Sequence, residues 1–224
     1  GIRDIGVTGV QTCALPIFEA GLILCTLRHY SSEQSMITVK LVEAFAGTRV
    51  VGFDIAGDEA GYPIDAHVEA FQYAKDKKIS CTAHAGEACG PASVWETLKH
   101  FRPTRIGHGV RSCEDPALME QLKKDDIHLE VCPNSNMQTN MYDSIEAHPA
   151  DRILRFGVSM SVNTDARTVT PTTLSAEYAL LQRVFGWTLS DFKHCNLEAI
   201  RHSFASSVLK ERLAQQIEVG YPVS

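Results

Sequence analysis

The residues best suited to chemistry crowd into one stretch, ISCTAHAGEACG at 79–90. Ile79 to Thr82 read as a short strand, with His84 and Glu87 in the turn that leaves it. Imidazole can hold a metal and a glutamic acid can move protons, so this pairing at a strand end suits metal-assisted acid–base chemistry. A buried, hydrogen-bonded histidine beside a solvated glutamate accounts for the stretch equally well. Later strand ends shift the balance. His108 lies between glycines in RIGHG, with room beside it for water or substrate, and Asp165 closes SVNTD on a polar corner. His84 offers a nitrogen and Asp165 an oxygen to zinc, which takes both donor types. Zinc brings the pKa of a bound water to near neutrality. Glu87 is then free to give a proton to a substrate ring nitrogen while His108 orients the attacking water. The outcome is hydrolytic loss of ammonia.

Such a site needs elements that bring distant strand ends together. GLILCTLRH, RVVGFDIAGDE, ISCTAHAGE, TRIGHGV, HLEVCPNSN and GVSMSVNTD read as strands. Helices are expected between them: 31–45 with Met36, Val39, Leu41 and Val42 inward, 65–77, one opened by Pro91, and one capped by Asp115 before Pro116. From Leu174 the chain reads as helical, with Gly186 and Gly220 as stops. Strands alternating with helices predict an α/β fold with parallel strands. The polar residues gather at the strands' carboxyl ends, where a (β/α)8 barrel places its chemistry. No glycine-rich phosphate loop follows the first strand, which disfavours a doubly wound open sheet. The expectation is a partial (β/α)8 TIM barrel of about six of eight strand–helix units.

Taken in order, DIAGDE, AHAGE, RIGHG, CPNSN and SVNTD resemble adenosine deaminases of the amidohydrolase type. The resemblance runs from about Gly21 to Glu218. It implies that His84 and Asp165 bind zinc, Glu87 protonates N1 of a purine, His108 orients the water, and Gly57 contacts the purine edge. The implied reaction turns adenosine, and 2'-deoxyadenosine, into the inosine product and ammonia, with a small purine nucleoside as partner. Adenine or adenosine monophosphate as substrate, or a non-catalytic barrel module, are the alternatives. Two departures stand out. The family carries an HxH pair of zinc ligands on its first strand, and no HxH occurs in this sequence. His29 and His67 are isolated and in the wrong segments to replace it. Many members also carry an aspartate after the metal-binding one, where this chain has Ala166. The expectation is therefore a segment lacking the amino-terminal portion, inactive alone and prone to self-association through open sheet edges.

Composition sets the outer limits. The chain has 224 residues and a formal charge of -6, from 21 Lys and Arg against 27 Asp and Glu, which argues against a general nucleic-acid surface. No apolar run is long enough to span a membrane. Seven scattered cysteines without CxxC spacing read as thiols of a reducing, cytoplasmic setting, with Cys81, Cys89 and Cys132 expected in the core. Nothing at the start reads as a signal peptide. Residues 1–17 have no clear periodicity and resemble a translated sequencing-adaptor remnant, which makes 18–224 the barrel domain. Other polar residues stay open between two roles: Arg28 and His29 at the site mouth or in structural hydrogen bonds, Asp54 orienting a metal ligand or simply buried. Asp58 and Glu59 shape the purine pocket or line a solvated loop. Ser135 and Asn136 are expected to hold loop geometry. His100, His128, His148, His194 and His202 show no partner pattern.

Overall fold

The computed structural model describes residues 20–221, so the unusual arm at 1–17 lies outside the described residues. The order is β1 (Leu22–Leu27), α1 (Ser32–Ala44), β2 (Val50–Ala56), α2 (Val68–Asp76), β3 (Thr82–Ala85), α3 (Pro91–His100), β4 (Arg105–His108) and α4 (Pro116–Lys124). It continues β5 (His128–Val131), α5 (Pro133–Gln138), α6 (Ala150–Phe156), β6 (Met160–Val162), α7 (Leu174–Phe185), α8 (Leu189–His202) and α9 (Ser207–Gly220). All strand pairs are parallel. β1 pairs with β2, and β3 through β6 pair in chain order. A single bridge, Phe53 to Cys81, links the two ladders. The arrangement is the expected partial barrel.

Local signals explain most boundaries. Ser31 and Gln34 close a reciprocal capping box at the start of α1. Asp115 caps α4 through the Ala117 amide, with Pro116 in the first turn. Gly157 and Gly186 end α6 and α7 in the left-handed region, where a Cβ is costly.

Four expectations need correction. β3 begins at Thr82 instead of ending there, so His84 lies within the strand and only Glu87 sits in the following turn. The run 79–81 makes one bridge and no ladder. CPNSN does not extend β5, because Pro133 opens α5. In α1 the inward stripe is Ser35, Val39 and Val42, while Leu41 is exposed. Gly220 is the last residue of α9, and the cap is Tyr221.

Two apolar clusters fill the space behind the strands. One joins β1, β2 and α2, where Phe71 stacks on Phe101 at 3.8 Å. The other runs from β3 to α8, around Ile106, Leu129, Ile153, Met160 and Trp187. Trp187 is buried to the tip of its ring, and its Nε1 donates to Asp151 at 2.9 Å. No described helix is long and apolar enough to cross a membrane.

One buried histidine makes this half of the fold sensitive to acid. His128 contacts Ser159 and Ser161 through its two ring nitrogens, at 2.8 and 2.9 Å, and stacks on His202. Burial, with His202 and Arg105 nearby, pushes its pKa down to about 3. The unfolded chain therefore takes up this proton first. The stabilising contribution is complete above the unfolded value near 6.5 and is lost as pH falls towards about 3. Urea unfolding should lose at most about 1.4 kcal/mol per pH unit across that window through this residue. His128→Gln, which cannot charge, should have a shallower slope, and an unchanged slope would show that other groups govern acid lability.

Candidate active site

Parallel register does the first part of the assembly. His84 lies beside Gly107, and Ala85 beside His108, so β3 and β4 end together. β5 and β6 stay in step, with Val131 beside Val162, and the chain then turns through 163–165. Small residues keep the rings close: a Cβ on Gly107 would stand 2.7 Å from Cγ of His84. His108 and Asp165 both adopt left-handed backbone, with φ of 58° at each. For residues with a Cβ this costs about 1 kcal/mol or more, and such strain persists only where surrounding contacts hold it.

Those contacts form a network. Asn136, fully buried, donates from Nδ2 to Glu87 Oε1 and to His108 Nδ1, both at 3.1 Å. His148 Nε2 donates to Asn136 Oδ1 at 3.2 Å, which fixes the amide's orientation. With Nδ1 of His108 accepting, its proton belongs on Nε2. That nitrogen points at Glu87 Oε2, 3.5 Å away, and Asp165 Oδ2, 3.9 Å away. Ser135 Oγ donates to the same Asp165 oxygen at 2.6 Å. On the other side, Asp54 accepts from Nδ1 of His84 at 3.2 Å, leaving Nε2 for a ligand. This carboxylate–imidazole pairing is how metal-binding histidines are commonly oriented.

Charge states follow from these surroundings. Burial, and the Asp165 charge next, raise the Glu87 carboxyl above its ordinary value, as a proton donor requires. Burial and the neighbouring His84 lower His108 to about 4, leaving its imidazole neutral. Burial works against a charge on His84, but Asp54 outweighs it, and the ring rises to about 9. Burial likewise works against the Asp165 carboxylate, yet the Ser135 hydrogen bond and His108 hold it below its ordinary value.

The donor types suit zinc, one imidazole nitrogen and one carboxylate oxygen, though a catalytic zinc usually keeps three or more protein ligands. Among the described residues, the cluster with close metal-donor spacing lies elsewhere: Asp126, Glu198 and His202. Arg201 already bridges both of its carboxylates, which accounts for the cluster as an ion-pair clamp.

The sequence-predicted residues thus converge: carboxylate oxygens of Glu87 and Asp165 both lie within 4 Å of His108 Nε2, and His84 flanks His108 with ring centroids 5.3 Å apart. Gly57 lies on the loop after β2, exposed and with φ of 104°. Arg28 is not at an open mouth; it is buried and donates to the carbonyls of His84 and Tyr62. His67 is buried between Ser35 and the Arg28 carbonyl, far from any metal role. Asn136 and Ser135 do more than shape a loop, since each grips a carboxylate of the site. His148 was not singled out, and its type and spacing carry no signal, because the fold of the α5–α6 connection brings it in.

Parallel strands wound with helices, with this polar cluster at their carboxyl ends, define an enzyme-like partial (β/α)8 barrel. Residues 3–219 match the Adenosine deaminase family model, and the chain belongs to that family. Adenosine deaminase 1 of Streptomyces coelicolor is 37% identical over 215 residues, taking in 91% of this chain and 53% of that protein. Adenine deaminase from Arthrobacter aurescens shares the fold at TM-score 0.83 and 26% identity, covering 89% of this chain and 61% of that one. N6-methyl-AMP deaminase from Arabidopsis thaliana does so at TM-score 0.83 and 31% identity, over 90% and 59%. The chain spans about half the length of the curated relatives it matches.

The close approach of Gly107 to His84 can be tested directly. Gly107→Ala should force the imidazole away from Asp54 and destabilise the fold by about 1–3 kcal/mol, as overfilled cores do. Ring nitrogen NMR shifts of His84 and urea unfolding report the two effects. A wild-type His84 spectrum would contradict the β3–β4 register.

Proposed function

We propose that these residues are the greater part of the catalytic centre of a zinc-dependent deaminase. It converts adenosine and 2'-deoxyadenosine to the corresponding inosine and ammonia. The observation that carries the proposal is the Glu87 carboxyl, raised by burial and held by Asn136 beside a neutral His108. Glu87 gives its proton to N1 of the purine, which makes C6 electrophilic. His108, with its proton on Nε2, hydrogen-bonds the incoming water and sets its approach to C6. Of the water's two protons, one leaves with the C6 amino group as ammonia and the other restores Glu87, while the oxygen stays on C6 as the carbonyl. Gly57, without a side chain, lets the purine edge reach the backbone of the loop after β2. His84 and Asp165 would hold the zinc, with further donors from outside the described residues. When bound, zinc supplies a water that ionises near neutral pH.

The relatives' names span adenosine, adenine and N6-methyl-AMP. The adenosine reading rests on family membership and on DIAGDE, AHAGE and SVNTD. Ala166 stands where many members have a purine-contacting aspartate, so one ring contact comes from another group.

Two outcomes test this. Residues 20–221 carried behind the upstream part of the Streptomyces relative, and loaded with zinc, should turn over adenosine faster than adenine or adenosine monophosphate. In that protein Glu87→Gln should cut turnover about 100- to 10,000-fold while zinc content stays unchanged. Normal turnover would remove the proton-donor role, and loss of zinc would make Glu87 a metal ligand. The 224-residue chain alone should form negligible inosine even with added zinc, and should scatter light as a self-associating species through the outer edge of β1. Full turnover from a monodisperse chain would contradict that expectation.

A further inference from the structure

One carboxylate beside the site takes no part in the chemistry above, yet it gathers four donors. Glu59, half-buried on the loop after β2, accepts at Oε1 from the Gly86 amide and Ser93 Oγ, both at 2.6 Å. Its Oε2 accepts from the amides of Glu87 at 3.1 Å and Cys89 at 2.9 Å. Three of these donors are backbone amides of the turn that carries Glu87. Gly86 makes their convergence feasible: its φ is 70°, and a Cβ there would meet Val94 Cγ2 at 2.5 Å. Amides turned inward around a left-handed residue form a concave anion site. Here the anion comes from the chain itself.

We propose that Glu59 is a positioning residue for Glu87, filling this ring of amides and so fixing where the Glu87 carboxyl sits. The functional meaning rests on the proton-donor role proposed above. Glu59 acts only through the backbone, since the Glu87 side chain turns the other way, towards Asn136 and His108. Holding the turn matters because a shift near 1 Å in a reacting group costs roughly 100-fold in rate. Glu59 also lies two residues beyond Gly57, so it ties the proposed purine-contact loop to the proton-donor loop.

The geometry requires a charged acceptor. Both oxygens receive two hydrogens each, and an amide in place of the carboxylate turns an NH2 group towards two of the four donors. Glu59→Gln should therefore release the turn without emptying the core. In the 224-residue chain, amide exchange at Gly86, Glu87 and Cys89 should speed up by about tenfold or more. The Gly109 amide, bonded to the Ala85 carbonyl within the β3–β4 ladder, should keep its rate. The Asn136 side-chain amide is the decisive reporter, because it bonds the Glu87 carboxyl and none of the groups that Glu59 touches. Ser93→Ala removes one donor without touching the carboxylate and should move the same signals less far, which keeps the test open if the first variant folds poorly. Wild-type signals at all these groups in Glu59→Gln, or an equal rise in exchange throughout the fold, would overturn the proposal. Failure of the deaminase reading shows in the turnover of Glu87→Gln and leaves these signals as they are, so the two failures are distinct.

Discussion

The structure depends on parallel strands ending in step. Between β3 and β6 the ladder has no slip, so His84, His108 and the 163–165 turn reach the same end of the barrel. A one-residue shift in any strand would turn its polar end residue to the opposite face. Two left-handed residues of the site, His108 and Asp165, carry backbone strain. Both are anchored by neighbours: His108 by Asn136 and the Gly109–Ala85 hydrogen bond, Asp165 by Ser135. Their conformational cost is thus offset by contacts that also set the chemistry.

Much of this was legible in the sequence, and the misses have physical causes. Alternating apolar runs and helix signals located six strands, of which β2 to β6 are largely buried and β1 is half-exposed. The start of β3 was misplaced because 79–81 is apolar enough for a strand, yet Ile79 donates back to Ala74, closing the end of α2. α5 was hidden in CPNSN because the apolar pattern of β5 runs on to Cys132, and only Pro133 marks the break. His84, Glu87, His108 and Asp165 stood out by type and by their place at strand ends. Asn136, His148 and Glu59 did not, since each acts through a partner at least a dozen residues away. Chain folding alone brings such pairs together.

Fold and family do not by themselves choose the substrate. Related barrels carry names for deaminases of a nucleoside, a free base and a methylated nucleotide. What distinguishes them lies in the side chains around the site, not in the barrel that carries it.

Under the proposed function, the carboxyl ends of these strands hold zinc through His84 and Asp165. X-ray absorption at the zinc edge decides this on residues 20–221 carried behind the upstream part of the Streptomyces relative and saturated with zinc. The expected zinc shell contains imidazole nitrogen and carboxylate oxygen, is lost or depleted in His84→Ala and in Asp165→Ala, and is retained in Glu87→Gln. A shell untouched by the first two substitutions, but abolished by His202→Gln, would place the metal at the Asp126 cluster and contradict it.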